Sequence, residues 1–434
     1  MSAVLAGLDV APRGELGTVD VSIVMPCLNE ADSLAFCIAN ARQAIDMLSA
    51  RFGYSAEIVI ADNGSSDGSQ AIAHRLGAKV VPVEQKGYGA AIIAGCTAAA
   101  GRFLLMGDAD GSYDFRDGVA MIGKLADGAD LCMGSRFKGG IRPGAMPWKN
   151  RHIGNPVLTG VLNLFFHAGI DDAHCGIRAF TRSSFDRLKL SGTGMEFASE
   201  MIIKAALLHL RIDEVPATLS KDLRKRPPHL RPWRDGWRHL RYLMMLSPSW
   251  LFAFPAGFAM FIGLSILAAA GAARFFAPQW HDFYFGNYWA ILAGSLVEIG
   301  HIAAIFALAC NLYGIREGYR RPGRRSAFLS RWLSLETMLT AGLLSVLAGI
   351  GMLVGVIVYW SAHRFAAIDD VLPVVIGTSL FAIGIQNIFG GFLLSVVGGN
   401  EADFLGAPAK QAAADDSARR EPVTPGSASA ASGS

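Results

Sequence analysis

The residues most able to do chemistry in this chain are its acids and arginines. Asp108-Ala109-Asp110 ends an apolar run, Arg102 to Met106, and sets two carboxylates near one point. Paired carboxylates are hard oxygen donors, suited to a divalent cation such as Mg²⁺ or Mn²⁺ that bridges diphosphate oxygens. A solvated acidic turn is the competing reading of that pair in isolation. Arg136, Arg151 and Arg178 each follow turn signals, and the guanidinium fork matches phosphate geometry. Lys221, Arg224, Lys225 and Arg226 form a basic run before Pro227-Pro228. Six cysteines stand singly, without a CxxC pair or zinc-ligand spacing, so buried reduced thiols are expected.

The elements that must hold these groups alternate. Val21 to Pro26, Glu57 to Ala61, Lys79 to Val83 and Arg102 to Met106 are short β-branched or apolar runs. Each of the first three leads into a segment with apolar residues at helical spacing, and the fourth stops at the acidic pair. This pattern predicts an α/β, Rossmann-like domain built on a mostly parallel sheet, with ligands outside the carboxyl ends of the strands. The polar clusters Asn29-Glu30, Asp62 to Gly68, Lys86 to Gly89 and Gly107 to Asp110 all sit at such ends.

The 434 residues are long for one domain, and the 52% hydrophobic content is concentrated after residue 250. Segments 251–273, 288–313, 337–360 and 371–398 each reach the length of a membrane-crossing helix. The 315–333 loop carries Arg316, Arg320, Arg321, Arg324, Arg325 and Arg331, which the positive-inside rule puts on the cytoplasmic side with both termini. Glu298, His301, Gln386 and Asn387 interrupt the spans, and hydrogen bonding between helices is the leading reading of them, ahead of lipid handling. Pro232 to Leu246 reads as a basic amphipathic helix at the inner membrane surface. Residues 1–20 lack a signal-peptide core, and the Ala/Ser/Pro/Gly stretch from about Ala407 reads as a disordered tail. A net charge of +3 is too small to argue for nucleic acid.

Taken in order, Ser22-Ile-Val-Met-Pro-Cys-Leu-Asn-Glu30, Asp62-Asn-Gly-Ser-Ser-Asp-Gly68, Lys86-Gly-Tyr-Gly, Asp108-Ala-Asp110 and Gly134-Ser-Arg136 resemble the family 2 glycosyltransferases. Asp172 to Arg178, Phe197 to Met201 and Glu214-Val-Pro216 are similar to the dolichol-phosphate mannosyltransferase branch and its bacterial polyprenyl-phosphate relatives. The resemblance covers roughly residues 20–240. It implies a GT-A catalytic domain followed by a four-helix transmembrane domain, and transfer of a sugar from a nucleotide sugar of GDP-mannose or UDP-glucose type to a polyprenyl phosphate. Pro26, Asn29, Glu30, Asp62, Lys86 and Asp108 would then hold the nucleotide, and Asp108 with Asp110 the metal. Asp110, Arg136, Arg178 and Glu200 would be catalytic, and Arg136, Arg151, Arg178 and Arg224 would meet the acceptor phosphate. Asn63 stands where the family often has a second aspartate, and Gly111 to Asp114 replace its usual Leu-Gln.

The implied division is an N-terminal extension (1–19), a catalytic domain (20–228), an interfacial helix (229–250), the membrane domain (251–400) and a tail (401–434). The implied location is a bacterial inner membrane with the catalytic domain in the cytoplasm, and a homo-oligomer is left open. Lys86 also reads as a surface lysine and Glu200 as part of a solvated helix face. A processive polysaccharide synthase is the nearest rival, but no Gln-x-x-Arg-Trp motif is present. A non-catalytic lipid transporter or scaffold is opposed by the retention of Asp62, Asp108, Asp110 and the three arginines Arg136, Arg151 and Arg178.

Overall fold

The computed structural model describes residues 19–224, 232–276, 286–320, 333–366 and 370–400. Contacts divide the chain into two compact units, Met1–Ser247 and Pro248–Ser434.

The first unit is a seven-stranded sheet, β1 (Val21–Cys27), β2 (Ala56–Asp62), β3 (Lys79–Pro82), β4 (Phe103–Met106), β5 (Leu131–Ser135), β6 (Arg178–Thr181) and β7 (Ile212–Pro216), in the order β3-β2-β1-β4-β6-β5-β7. Only β6 runs antiparallel, pairing with β4 and β5. Strand alternation feeds two cores. Ile23, Met25, Ile60 and Leu105 pack with Leu34, Ile38 and Leu48 of α1 (Leu34–Phe52) and with Val119 and Ile122 of a later helix. Val24, Val59, Leu104 and Met106 face the other side.

Helices α2 (Ser69–Arg75) and α3 (Tyr88–Ala98) follow β2 and β3. After them come α4 (Asp117–Ala126), the single turn α5 (Arg136–Gly139), α6 (Asn155–Phe166), α7 (Arg182–Leu188), α8 (Phe197–Leu207) and α9 (Pro232–Met245). Parallel register puts Cys27 of β1 opposite Asp62 of β2, and Val24 opposite Met106 of β4. The segments that leave those three strands, with their acids, therefore emerge along one edge.

The second unit holds α10 (Phe254–Phe276), entered through a wide π-helical turn at Ser249–Ala253, then α11 (Asn287–Arg316), α12 (Leu335–Ala362) and α13 (Leu372–Gly398). Its four helices are long and apolar enough to cross a membrane, with ends a few residues from those composition suggests. Tight packing replaces the hydrophobic effect there. A Cβ on Gly342 of α12 would sit 2.8 Å from the Gly384 carbonyl of α13, and one on Gly384 would sit 2.7 Å from the Gly342 carbonyl. Polar residues pair between helices, with His301 Nδ1 on Gln386 Oε1 and the Ser379 hydroxyl on Glu298 Oε1, both at 2.8 Å. Interhelical hydrogen bonding is thus what Glu298, His301 and Gln386 do. Residues 1–18, Lys225 and Arg226, most of the arginine-rich loop and the tail from 401 onward lie outside the described residues.

Because both glycines of the crossing are in backbone contact, Gly384→Leu should force α12 and α13 apart. An overpacking cost of about 1–3 kcal/mol is expected, read as a lower Tm in detergent, whereas Gly355→Leu, which meets open space, should leave Tm nearly unchanged.

Candidate active site

At the edge formed by β1, β2 and β3, buried polar side chains shape the loops. Pro26 is the one half-buried residue of the otherwise buried β1, and Asn29 just beyond the strand has a left-handed backbone (φ 58). The Asn29 amide donates to Ser65 Oγ at 2.8 Å, and its side-chain oxygen accepts from the Ser66 amide at 2.8 Å. Asp62 is buried and accepts from the Gly64 and Ser65 amides and, at 2.6 Å, from Gln70. Asn63 donates to the Val83 and Gln85 carbonyls and accepts from the Gly87 amide at 2.8 Å. Lys86 returns the contact, its Nζ donating to the Asn63 carbonyl at 2.6 Å. The asparagine in place of a second aspartate therefore ties two loops into one body.

The acids meet beside this body. Glu30 and Asp110 are 7% and 6% exposed. Tyr88 donates its hydroxyl to Asp108 Oδ1 at 2.9 Å, and the Ser112 amide donates to Asp110 Oδ1 at 2.9 Å. Burial, then the neighbouring Asp110 charge, pushes Asp108 up to about 7. A strap closes over the group, with the Ser220 amide on the Ser112 carbonyl and the Leu223 amide on the Asp110 carbonyl, both at 2.8 Å. It delivers Arg224, whose guanidinium pairs with Glu30 at 3.4 Å and with Asp110. Arg224 thus lies on the carboxylates rather than at a separate acceptor site, because the strap, not the basic run, fixes its position.

Among the described residues no group of three or more His, Cys, Asp and Glu side chains is arranged to hold a metal. The pair Asp108 and Asp110 nonetheless fits a hard cation. Both are oxygen donors, burial and the Asp110 charge raise Asp108, and a cationic side chain already pairs with Asp110.

Two of the arginines singled out by sequence are spoken for. Arg136, 7% exposed, forks onto Asp172 with both contacts at 2.7 Å. Burial alone would raise Asp172, but this pair holds it below the usual carboxylate range. Arg178, 1% exposed, donates from its three nitrogens to the carbonyls of Cys175, Ala198 and Ala173. Both arginines stitch the 172–178 segment in place. Arg151 is exposed on the π-helical turn before α6.

Glu200 is fully buried, not on a solvated face. It accepts from the Ser191 amide and hydroxyl and from the Gly192 amide at 2.7 Å, and pairs with Lys204 at 2.7 Å. With its oxygens so engaged it positions the 191–194 loop and has no lone pair aimed outward as a base. That loop, Lys86-Gly87 and α9 enclose a cavity of about 540 Å³. Arg238 and Arg241 of α9 line it.

Residues 22–189 match the glycosyl transferase family 2, and residues 308–398 match the family 2 glycosyltransferase C-terminal transmembrane region. The low-salt glycan biosynthesis hexosyltransferase Agl6 of Haloferax volcanii is 34% identical over 395 residues, covering 91% of each chain. The chain belongs to the family 2 glycosyltransferases. A dolichyl-phosphate hexose transferase of the same organism is 28% identical over 198 residues, 45% of this chain and 81% of that protein. A solved glucosyl-3-phosphoglycerate synthase from Mycobacterium tuberculosis, in complex with phosphoglyceric acid, is 19% identical. The match has a TM-score of 0.40 and covers 53% of this chain and 80% of that one.

In this family 2 glycosyltransferase, sequence reading passed over Tyr88, Asp172 and the Ser191–Gly194 loop. Tyr88 lay inside a quoted motif, and its position just before Asp108 in space has no linear signature. Another omission is His174, whose two ring nitrogens are buried without a hydrogen-bond partner. Its ring meets His239 of α9 edge to face at 5.1 Å. Burial, then His239, Arg136 and Arg178, lowers His174 to about 3.

A buried neutral histidine contributes stability above its unfolded pKa near 6.5 and loses it as pH falls toward the folded value. The enzyme's Tm should therefore drop progressively below about pH 6.5. His174→Leu should flatten that slope, and an unchanged slope would remove His174 as its source.

Proposed function

We propose that this membrane glycosyltransferase moves a hexosyl group from a nucleotide sugar to the phosphate of a polyprenyl lipid, in a divalent-metal-dependent reaction. The observation that carries the proposal is the union, in one chain, of the acid cluster at the carboxyl ends of β1 and β4 with four membrane-length helices. The name of the relative, a dolichyl-phosphate hexose transferase, agrees with a lipid-phosphate acceptor.

On this reading Pro26, Asn29, Glu30, Asp62 and Lys86 form the nucleotide side, and Asp108 and Asp110 hold Mg²⁺ or Mn²⁺. The cation, when bound, would neutralise charge on the departing diphosphate. Arg224 is placed to exchange its carboxylate partners for diphosphate oxygens, which suit its fork equally well. Arg136, Arg178 and Glu200 act by positioning, since each is buried and hydrogen-bonded. Residues 229–250 serve as an interfacial segment, and the arginine-rich 315–333 loop and the catalytic domain face the cytoplasm.

A phosphate monoester is largely anionic at neutral pH, so attack on the anomeric carbon requires positioning rather than a general base. A sugar hydroxyl would need that base. Membranes containing the enzyme, given radiolabelled nucleotide sugars and undecaprenyl phosphate, should yield a labelled lipid. Asp110→Asn should lower transfer by about 10²–10³ with the protein still folded, and full activity in excess chelator would defeat the metal assignment. Glu200→Gln should keep measurable turnover. Complete loss of chemistry in Glu200→Gln, with binding of both substrates intact, would instead favour base catalysis on a hydroxyl acceptor.

A further inference from the structure

The two carboxylates assigned above to a divalent cation, Asp108 and Asp110, do not offer all their oxygens to it. Each has one oxygen committed to a donor of the chain. The Tyr88 hydroxyl donates to Asp108 Oδ1 and the Ser112 amide to Asp110 Oδ1, both at 2.9 Å. One oxygen of each carboxylate is left. Asp110 Oδ2 carries the exchangeable pair with Arg224, and Asp108 Oδ2 has no hydrogen-bond or ion-pair partner among the described residues. A Cβ on Gly176 would lie 2.6 Å from Asp108 Oδ2, so glycine there keeps that oxygen uncovered.

Tyr88 is itself held in place from several sides. Its ring packs edge to face on Phe197, with centroids 6.5 Å apart, and Phe197 is fully buried at the start of α8. A Cβ on Gly87 would strike the Thr193 carbonyl and one on Gly89 the Gly192 carbonyl, so the 191–194 loop sits directly against the first turn of α3. The Ala90 amide donates to that Thr193 carbonyl at 3.1 Å, and the Gly87 amide donates to Asn63 Oδ1 at 2.8 Å. A hydroxyl on so fixed a ring cannot follow the Asp108 carboxylate if it turns. The carboxylate therefore keeps the rotation in which Oδ1 faces Tyr88 and Oδ2 stays free.

A carboxylate that chelates an ion turns both oxygens toward it. Ca²⁺ gathers more oxygens at longer distances and takes carboxylates in one-oxygen or two-oxygen fashion, whereas Mg²⁺ demands near-octahedral geometry and combines one or two carboxylates with substrate phosphate oxygens and water. Turning Asp108 to chelate would break its bond to Tyr88, and hydrogen bonds to charged groups are the stronger kind. We propose that Tyr88 is a positioning residue that sets the choice of cation: on the metal assignment above, its hydroxyl restricts Asp108 to one free oxygen, and the site thereby takes Mg²⁺ or Mn²⁺ in preference to Ca²⁺. Tyr88 acts through Asp108. Phenylalanine in its place keeps the ring on Phe197 and loses only the hydroxyl.

The test uses the full-length enzyme in nanodiscs of zwitterionic lipid, as wild type and as three variants. Tyr88→Phe removes the hydroxyl, Phe197→Leu disturbs the packing of the ring and keeps the hydroxyl, and Asp110→Asn reports Mn²⁺ held by nucleotide alone. Bound Mn²⁺ is read from the loss of the free-ion EPR signal with GDP or UDP present, Mg²⁺ and Ca²⁺ are titrated as competitors, and Tm is recorded for each variant. In the wild type Mg²⁺ should displace Mn²⁺ at lower concentration than Ca²⁺ does. In Tyr88→Phe the Ca²⁺ concentration that displaces half of the Mn²⁺ should fall about tenfold relative to that of Mg²⁺. Phe197→Leu should lower Tm and leave that ratio near the wild-type value. An unchanged ratio in Tyr88→Phe would overturn the inference and leave the metal assignment standing. A shift of equal size in Phe197→Leu would also overturn it, because the ratio would then follow packing. Loss of all Mn²⁺ binding in Tyr88→Phe would do the same, since the hydroxyl would then be needed for the site and not for its choice. If the wild type binds no more Mn²⁺ than Asp110→Asn, the metal assignment itself fails, and cation choice by Tyr88 fails with it.

Discussion

Like charges held close together in a poorly hydrated place dominate this catalytic unit. Glu30 and Asp110 are almost excluded from solvent, and Asp108 stands beside them. At an effective dielectric of 20, two unit charges 4 Å apart interact by about 4 kcal/mol, so such a cluster persists only with a cation nearby. The chain supplies one on the strap that ends at Arg224. Parallel pairing of β1 with β4 makes the cluster unavoidable, because it brings the segments after both strands to one edge. The antiparallel β6 then seats Arg178 opposite Met106, directly next to the strand end that carries Asp108.

Around the cluster, buried polar side chains act on backbone rather than on solvent. Asp62 binds amides of its own turn, Asn63 joins the loop before α3, Glu200 gathers the amides of Ser191 and Gly192, and Arg178 gathers three carbonyls. A buried polar group left without partners costs about 1–3 kcal/mol, and the neighbouring loop backbone supplies those partners. Each loop is thereby fixed to a rigid element, as a site needs if it is to hold reacting groups within a fraction of an ångström.

Much of this was legible in the sequence. The strands ending near Pro26, Ala61 and Met106 and the four spans follow from apolar periodicity, which burial dictates directly. The acid pair at the end of β4 follows from the same reasoning, since a polar residue after an apolar strand has only the sheet edge to occupy. The roles of the arginines were not legible, because an arginine's partner lies far away in the chain. Arg136 finds Asp172 thirty-six residues on, and Arg224 finds Asp110 across 114 positions. Composition marks both as phosphate-seeking, and only the fold decides that an internal carboxylate or carbonyl takes the fork first. Glu200 is the same case on a helix, where a solvated face was a possible reading and packing buried the side chain in a pair with Lys204.

The division among the arginines carries a mechanistic consequence. A nucleotide sugar brings a diphosphate to an acidic site, so its charge must be met by cations that arrive with it or exchange for it, as Arg224 can do between carboxylate and phosphate. A lipid phosphate, the acceptor proposed above, would meet the opposite problem, because a membrane surface presents it and cations already in place would have to draw it out of the plane. Arginines saturated by protein partners cannot supply that pull without breaking buried pairs, a loss on the order of 3–5 kcal/mol when one partner is removed. Arg136 and Arg178 are thus committed to the fold of the 172–178 segment, and only Arg224, whose partners are carboxylates at the edge of the sheet, can exchange them for an incoming anion.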